Sequence, residues 1–125
     1  MAKKNETNLT VLVVENDMDD YALLELYLTR KKHHIVNAID TVSALNLLET
    51  LSNEIDLILT DLCMPPGQDG LALAKSIRAK GLQTPIWLLS DHLSPEVHVK
   101  AKQIGIEKVI PKSNMIRELR VAGLV

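Results

Sequence analysis

The stretch Asp56-Leu57-Ile58-Leu59-Thr60-Asp61-Leu62-Cys63-Met64-Pro65 decides how this chain folds. Three large apolar residues and a β-branched Thr run without interruption, stop on a carboxylate, and are soon followed by a Pro. An unbroken apolar run reads as a strand covered on both faces, the usual state of a parallel sheet. Three other runs end in a similar way. Leu9 to Val14 ends on Glu15-Asn16-Asp17, Ile86 to Leu89 ends on Ser90, and Val109-Ile110 leads through Pro111 to Lys112. If all four are parallel strands, a carboxylate nucleophile, an acidic patch, a hydroxyl and an ammonium share one sheet edge.

Working outward, strands are expected near residues 10–15, 35–39, 57–60, 86–90 and 108–110, with an amphipathic helical pattern after each. Asp20 is expected to cap a helix reaching about Lys32, with Leu24 and Leu28 on its buried stripe. Thr41 is expected to cap the next, where Leu45, Leu48 and Leu51 recur at helical spacing. A third helix should start after Gly70, bury Leu73, Ala74 and Ile77, and end at Lys80-Gly81. Ser94-Pro95-Glu96 combines a capping hydroxyl, a first-turn Pro and an acid facing the dipole. Val97, Ala101 and Ile104 give that helix its apolar face, and Gly105 stops it. A short last helix runs from about Asn114 to Ala122. Strand and helix alternating five times, joined by right-handed crossovers, give an α/β fold with a doubly wound (βα)5 sheet. Ligands of such sheets bind beyond the carboxyl ends of the strands, where Glu15, Asn16, Asp17, Asp61, Ser90 and Lys112 would converge.

At 125 residues the chain suits one domain with a single core, residues 1–8 forming a polar tail. A net charge of -2 without a Lys/Arg block argues against nucleic-acid binding. The single cysteine excludes an internal disulfide and fits a reducing compartment. No apolar stretch approaches the roughly 20 residues needed to cross a bilayer, and the tail lacks a signal-peptide core, so a cytoplasmic location is expected. His33, His34, His92 and His98 lack metal-ligand spacing and read as surface or loop residues. Cys63 reads as a packed strand-exit residue.

Val11-Leu12-Val13-Val14-Glu15-Asn16-Asp17, the Asp56 to Pro65 stretch, Asp69-Gly70 and Pro111-Lys112-Ser113 together resemble the receiver domain of two-component response regulators. The resemblance spans nearly the whole chain and rests on four separate strand ends agreeing in order and spacing. It implies a flavodoxin-like sandwich, with a five-stranded parallel sheet of order 2-1-3-4-5. It implies that Asp61 accepts a phosphoryl group from a sensor histidine kinase or a histidine phosphotransfer protein. It also implies Mg²⁺ held by Glu15, Asn16, Asp61 and the backbone carbonyl of Cys63, with Asp17 as a further candidate. Ser90 and Lys112 would contact phosphoryl oxygens. The implied role is a signalling module, not a turnover enzyme, acting through its own surface, a homodimer or a phosphorelay.

Several positions depart from the family pattern. Asn16 stands where an acid usually contributes charge to the metal site, and Asp91 follows Ser90 where a small residue is usual. The segment from Met64 to Gly70 is one residue longer than is usual in the family, with a local bulge expected at Pro66-Gly67. Val109 replaces an aromatic, and no Pro follows Lys112. These departures keep a second reading open, a receiver-like interaction module independent of phosphate. A flavin- or nucleotide-binding enzyme on the same topology lacks support, because no glycine-rich loop follows the first strand and Phe is absent.

Overall fold

The computed structural model describes residues 8–64, 68–91 and 93–125. Its centre is a parallel sheet of β1 (Thr10–Val14), β2 (His34–Ala38), β3 (Leu57–Asp61), β4 (Ile86–Ser90) and β5 (Lys108–Pro111). The five strands lie in the order β2-β1-β3-β4-β5, as the doubly wound pattern and the family resemblance imply. Helices α1 (Met18–Arg30), α2 (Thr41–Leu51), α3 (Gly70–Ala79), α4 (Pro95–Ile104) and α5 (Met115–Val121) follow the strands in turn. Between β3 and α3, Cys63–Met64 pairs antiparallel with Gln68–Asp69 as a two-residue ribbon that the apolar pattern does not announce. The bulge expected at Pro66-Gly67, His92 and the first seven residues of the tail lie outside the described residues.

Side chains alternate along a strand, so each strand feeds two cores. Val11, Val13, Leu57, Leu59, Trp87 and Leu89 face α1 and α5, meeting Leu24, Leu28, Met115 and Leu119. Leu12, Val14, Ile58, Ile86 and Leu88 face the other way, meeting Leu48, Leu73, Ile77 and Ala101. β3 and β4 are buried at every position, which explains their unbroken apolar sequence.

Two helix caps differ from the sequence reading. Asp17, not Asp20, caps α1, its carboxylate accepting from the Asp19 and Asp20 amides. Asp40, not Thr41, caps α2 in a reciprocal capping box with Ser43, which holds the Asp40 carboxyl below its usual range. In both places a carboxylate stands at the strand exit, already extended, while the expected cap is inside the helix. Helix α1 stops at Arg30 rather than Lys32, which adopts a φ of 63°. Ser94 caps α4 and Gly105 closes it at φ 95°, as the sequence suggests.

His33 is a correction of a different kind. It is buried, and its Nδ1 accepts the Leu9 amide at 2.9 Å. That assigns the ring proton to Nε2, which donates to the Leu124 carbonyl at 2.8 Å. The imidazole therefore joins β1, β2 and the segment after α5 at the amino edge of the sheet.

Candidate functional site

The alternation that builds the core also aims the acids. Glu15 continues the Val11–Val13 series and Asp61 continues the Leu57–Leu59 series, so both project toward the α1/α5 face. Glu15 is 1% exposed and Asp61 6%. Lys112, first residue of the 3-10 turn that leads from β5 into α5, reaches across the same edge. Its Nζ lies 2.8 Å from Glu15 Oε1, 2.8 Å from Asp20 Oδ2 and 3.2 Å from Asp61 Oδ2. Residues 15, 61 and 112 thus meet at one point, as the spacing of strand ends requires.

Asp20 belongs to this cluster, and the sequence reading missed it by taking it for a cap. The signal was present: Asp20, Leu24 and Leu28 are spaced four apart, so the buried stripe of α1 extended backward ends on Asp20. A stripe that is apolar over the core turns acidic where it passes the sheet edge.

Backbone donors fix the remaining oxygens. Glu15 Oε2 accepts the Asp17 amide at 3.1 Å, and Asp61 Oδ1 accepts the Cys63 amide at 3.3 Å. Cys63 itself is exposed, not packed as expected. Asn16 is exposed in the turn between β1 and α1. Asp17 spends one oxygen on the α1 cap. Ser90 is buried, one residue beyond the Asp61–Leu89 register pair and opposite Pro111. Asp91 is exposed, and Val109 is half-buried against the α2/α3/α4-side core.

Gly70 holds the floor of the site. Its amide donates to the Leu62 carbonyl at 2.7 Å, and a Cβ added to it would sit 2.3 Å from the Asp61 carbonyl oxygen. Helix α3 can rest on the end of β3 only because that side chain is absent.

Three carboxylates around one ammonium leave an excess of negative charge. Burial works against the charged form of Lys112, but hydrogen bonds to Asp20 and Glu15, and the charges of Glu15 and Asp61, overcome it and hold its pKa above the ordinary lysine value. Burial pushes the Glu15 carboxyl up; the Lys112 and Asp17 contacts offset this only in part, and the Asp61 charge adds to it. Glu15 Oε1 is buried with the Lys112 ammonium 2.8 Å away as its ion-pair partner. The donors are all oxygens with surplus negative charge, the chemistry of a hard divalent cation, although among the described residues no three acids are already gathered as a metal cluster. A cleft of about 640 Å³ between α3 and α4 is lined by Leu71, Lys75, Arg78, Lys100 and Ile104 but by none of the three acids. Of the three acids only Asp20 is partly open to solvent; Glu15 and Asp61 are buried.

Comparison with known proteins agrees with the fold. The model of the response regulator receiver domain matches residues 11–122. The regulator of RpoS from Escherichia coli strain K12 is 33% identical over 118 residues, covering 91% of this chain and 34% of that protein. Protein PetR of Rhodobacter capsulatus is 32% identical over 109 residues, covering 87% of this chain and 44% of that protein. The chain therefore spans less than half the length of either relative. The crystal structure of a response regulator receiver protein from Pseudomonas putida superposes with a TM-score of 0.81 at 27% identity, covering 93% of this chain and 96% of that one. No helix among the described residues is long and apolar enough to cross a membrane. A family match across nearly the whole length, on a sheet of the expected order, places this chain in the response regulator receiver domain family, a signalling module of two-component systems.

Proposed function

We propose that Asp61 accepts a phosphoryl group from a histidine of a sensor kinase or of a histidine phosphotransfer protein. The observation that carries this reading is the Lys112 ammonium, 3.2 Å from Asp61 Oδ2 and 2.8 Å from Glu15 Oε1. A carboxylate oxygen of Asp61 attacks phosphorus, the P–N bond of the donor breaks, and an acyl phosphate forms. Both partners are anionic, so the reaction needs positive charge fixed in advance. Lys112 supplies one such charge and pairs with a phosphoryl oxygen as it arrives. At about 4 Å and an effective dielectric near 20, one unit pair is worth roughly 4 kcal/mol. Ser90 donates a hydrogen bond to a second phosphoryl oxygen. Glu15, Asn16, Asp61 and the Cys63 carbonyl would hold Mg²⁺, with the second oxygen of Asp17 in reserve, and the bound ion would offset the negative charge that builds on the phosphoryl oxygens.

The output is a rearranged surface rather than a released product. A phosphoryl group competes for Lys112 and Ser90, which biases the loops that carry them. The surface then docks a protein partner, forms a homodimer, or passes the group on in a phosphorelay, in the cytoplasm.

Incubation with Mg²⁺ and acetyl phosphate should add one phosphoryl mass to the intact protein, and Asp61→Asn should remove that adduct. A wild-type protein that stays unmodified at saturating metal would instead favour a phosphate-independent interaction module. The metal site gives a second expected outcome. Asn16→Asp restores a charge and should tighten Mg²⁺ binding by roughly three- to tenfold, read by titration of backbone NMR shifts. An unchanged affinity would remove Asn16 from the ligand set.

A further inference from the structure

The Lys112 ammonium is shared unequally. It donates a hydrogen bond to Asp20 Oδ2 at 2.8 Å and a longer one to Asp61 Oδ2 at 3.2 Å. Asp20 comes from α1, whereas Glu15 and Asp61 come from strand ends. It is also the most open of the three acids, with its side chain 31% exposed against 1% for Glu15 and 8% for Asp61. Its own backbone amide is tied to the Asp17 cap, so the first turn of α1 fixes where its carboxylate begins. An acid so placed does more than add charge: it shares the ammonium with the nucleophile.

We propose that Asp20 is a positioning residue that competes with the phosphoryl group on Asp61 for Lys112, and so shortens the life of the phosphorylated state. The inference rests on Asp61 being the phosphoryl acceptor. Once the group is in place, its oxygens need the Lys112 ammonium, which Asp20 also holds from the side. Asp20 in addition places a negative charge near the phosphoryl oxygens. Both effects raise the energy of the acyl phosphate. Loss of the group is hydrolysis: water adds to phosphorus, the bond from phosphorus to the Asp61 oxygen breaks, inorganic phosphate leaves, and the carboxylate is regenerated with release of a proton. Destabilising the acyl phosphate more than the crowded transition state speeds that step.

The test uses the full chain and the Asp20→Asn and Asp20→Glu variants, phosphorylated with acetyl phosphate at saturating Mg²⁺ and then freed of donor. Intact mass against time should show the Asp20→Asn adduct persisting roughly three- to tenfold longer than wild type, on the scale of a partly exposed ion pair. Asp20→Glu should return the lifetime toward wild type. Separately, and without donor, the ¹⁵N signal of the Lys112 ammonium should shift in Asp20→Asn, because its nearest oxygen partner on α1 has lost its charge. An Asp20→Asn lifetime equal to or shorter than wild type overturns the proposal. So does a drop in melting temperature with no change of lifetime, which would make Asp20 only a structural anchor. If wild type takes up no phosphoryl group at all, the phosphoacceptor reading fails; a shifted ammonium signal would then show that Asp20 still positions Lys112, and an unshifted one would sink that as well.

Discussion

Lys112→Met will slow formation of the Asp61 adduct roughly a hundredfold, the scale on which removing one preorganised charge-stabilising group acts. The same change removes the only ammonium contacting Glu15, Asp20 and Asp61 among the described residues, leaving three acids facing one another. Breaking a deeply buried pair costs about 3–5 kcal/mol; with Asp20 open to water, a loss nearer 1–3 kcal/mol of unfolding free energy is expected. The pH dependence has a definite sign. A lysine whose folded pKa is raised stabilises the fold fully below its ordinary value of about 10.4, and loses that contribution as pH rises through the higher folded value. The gap in stability between wild type and Lys112→Met should therefore be constant near neutral pH and close in strong alkali. Mg²⁺ should raise the melting temperature of the variant more than that of wild type, since it replaces part of the missing charge. Chemical denaturation with and without Mg²⁺, run beside the intact-mass assay, checks all three. Equal adduct rates in the two proteins would remove Lys112 from the chemistry.

Gly70→Ala is expected to damage both fold and site from a position that carries no functional group. The new methyl would stand 2.3 Å from the Asp61 carbonyl oxygen and 2.8 Å from Leu88 Cδ1. The leucine end can turn away; the carbonyl belongs to the last residue of β3 and cannot. Helix α3 must lift or the end of β3 must bend, at a cost of about 1–3 kcal/mol. Either movement displaces the Asp61 carboxylate relative to Lys112, and phosphoryl transfer tolerates misplacement of about 1 Å only with losses near a hundredfold. Gly81→Ala is the matched comparison. Gly81 has a φ of 82° with open space around it, so Ala there strains the backbone by about 1–2 kcal/mol without touching the site. Melting temperature and adduct rate measured on both variants separate the effects. Similar adduct rates in the two would mean that the Gly70 contact does not position Asp61.

The sheet was legible because both of its faces are covered. Leu57 to Leu59 and Ile86 to Leu89 leave no polar position through which another arrangement could be read, and their carboxyl ends fall where the register puts them. Asp61 and Lys112 followed from that. Ser94 and Gly105 were legible for local reasons, since each acts within its own turn. Asp17 and Asp20 were not separable in the same way. Both are good caps, and only the point where β1 ends decides which one is still extended. His33 was opaque for a longer-range reason: its partners lie 24 and 91 positions away, and no local pattern marks a histidine for burial between them. The two-residue ribbon after Asp61 is set by the approach of α3 to β3 at Gly70, which is a tertiary fact.

The imidazole of residue 33 also has a practical geometry. It gathers Leu9 and Leu124 at the rim opposite Asp61, so both ends of the described fold leave from the same side. A dye or an affinity handle attached at Asn8 or Val125 would therefore stand at the rim away from Asp61.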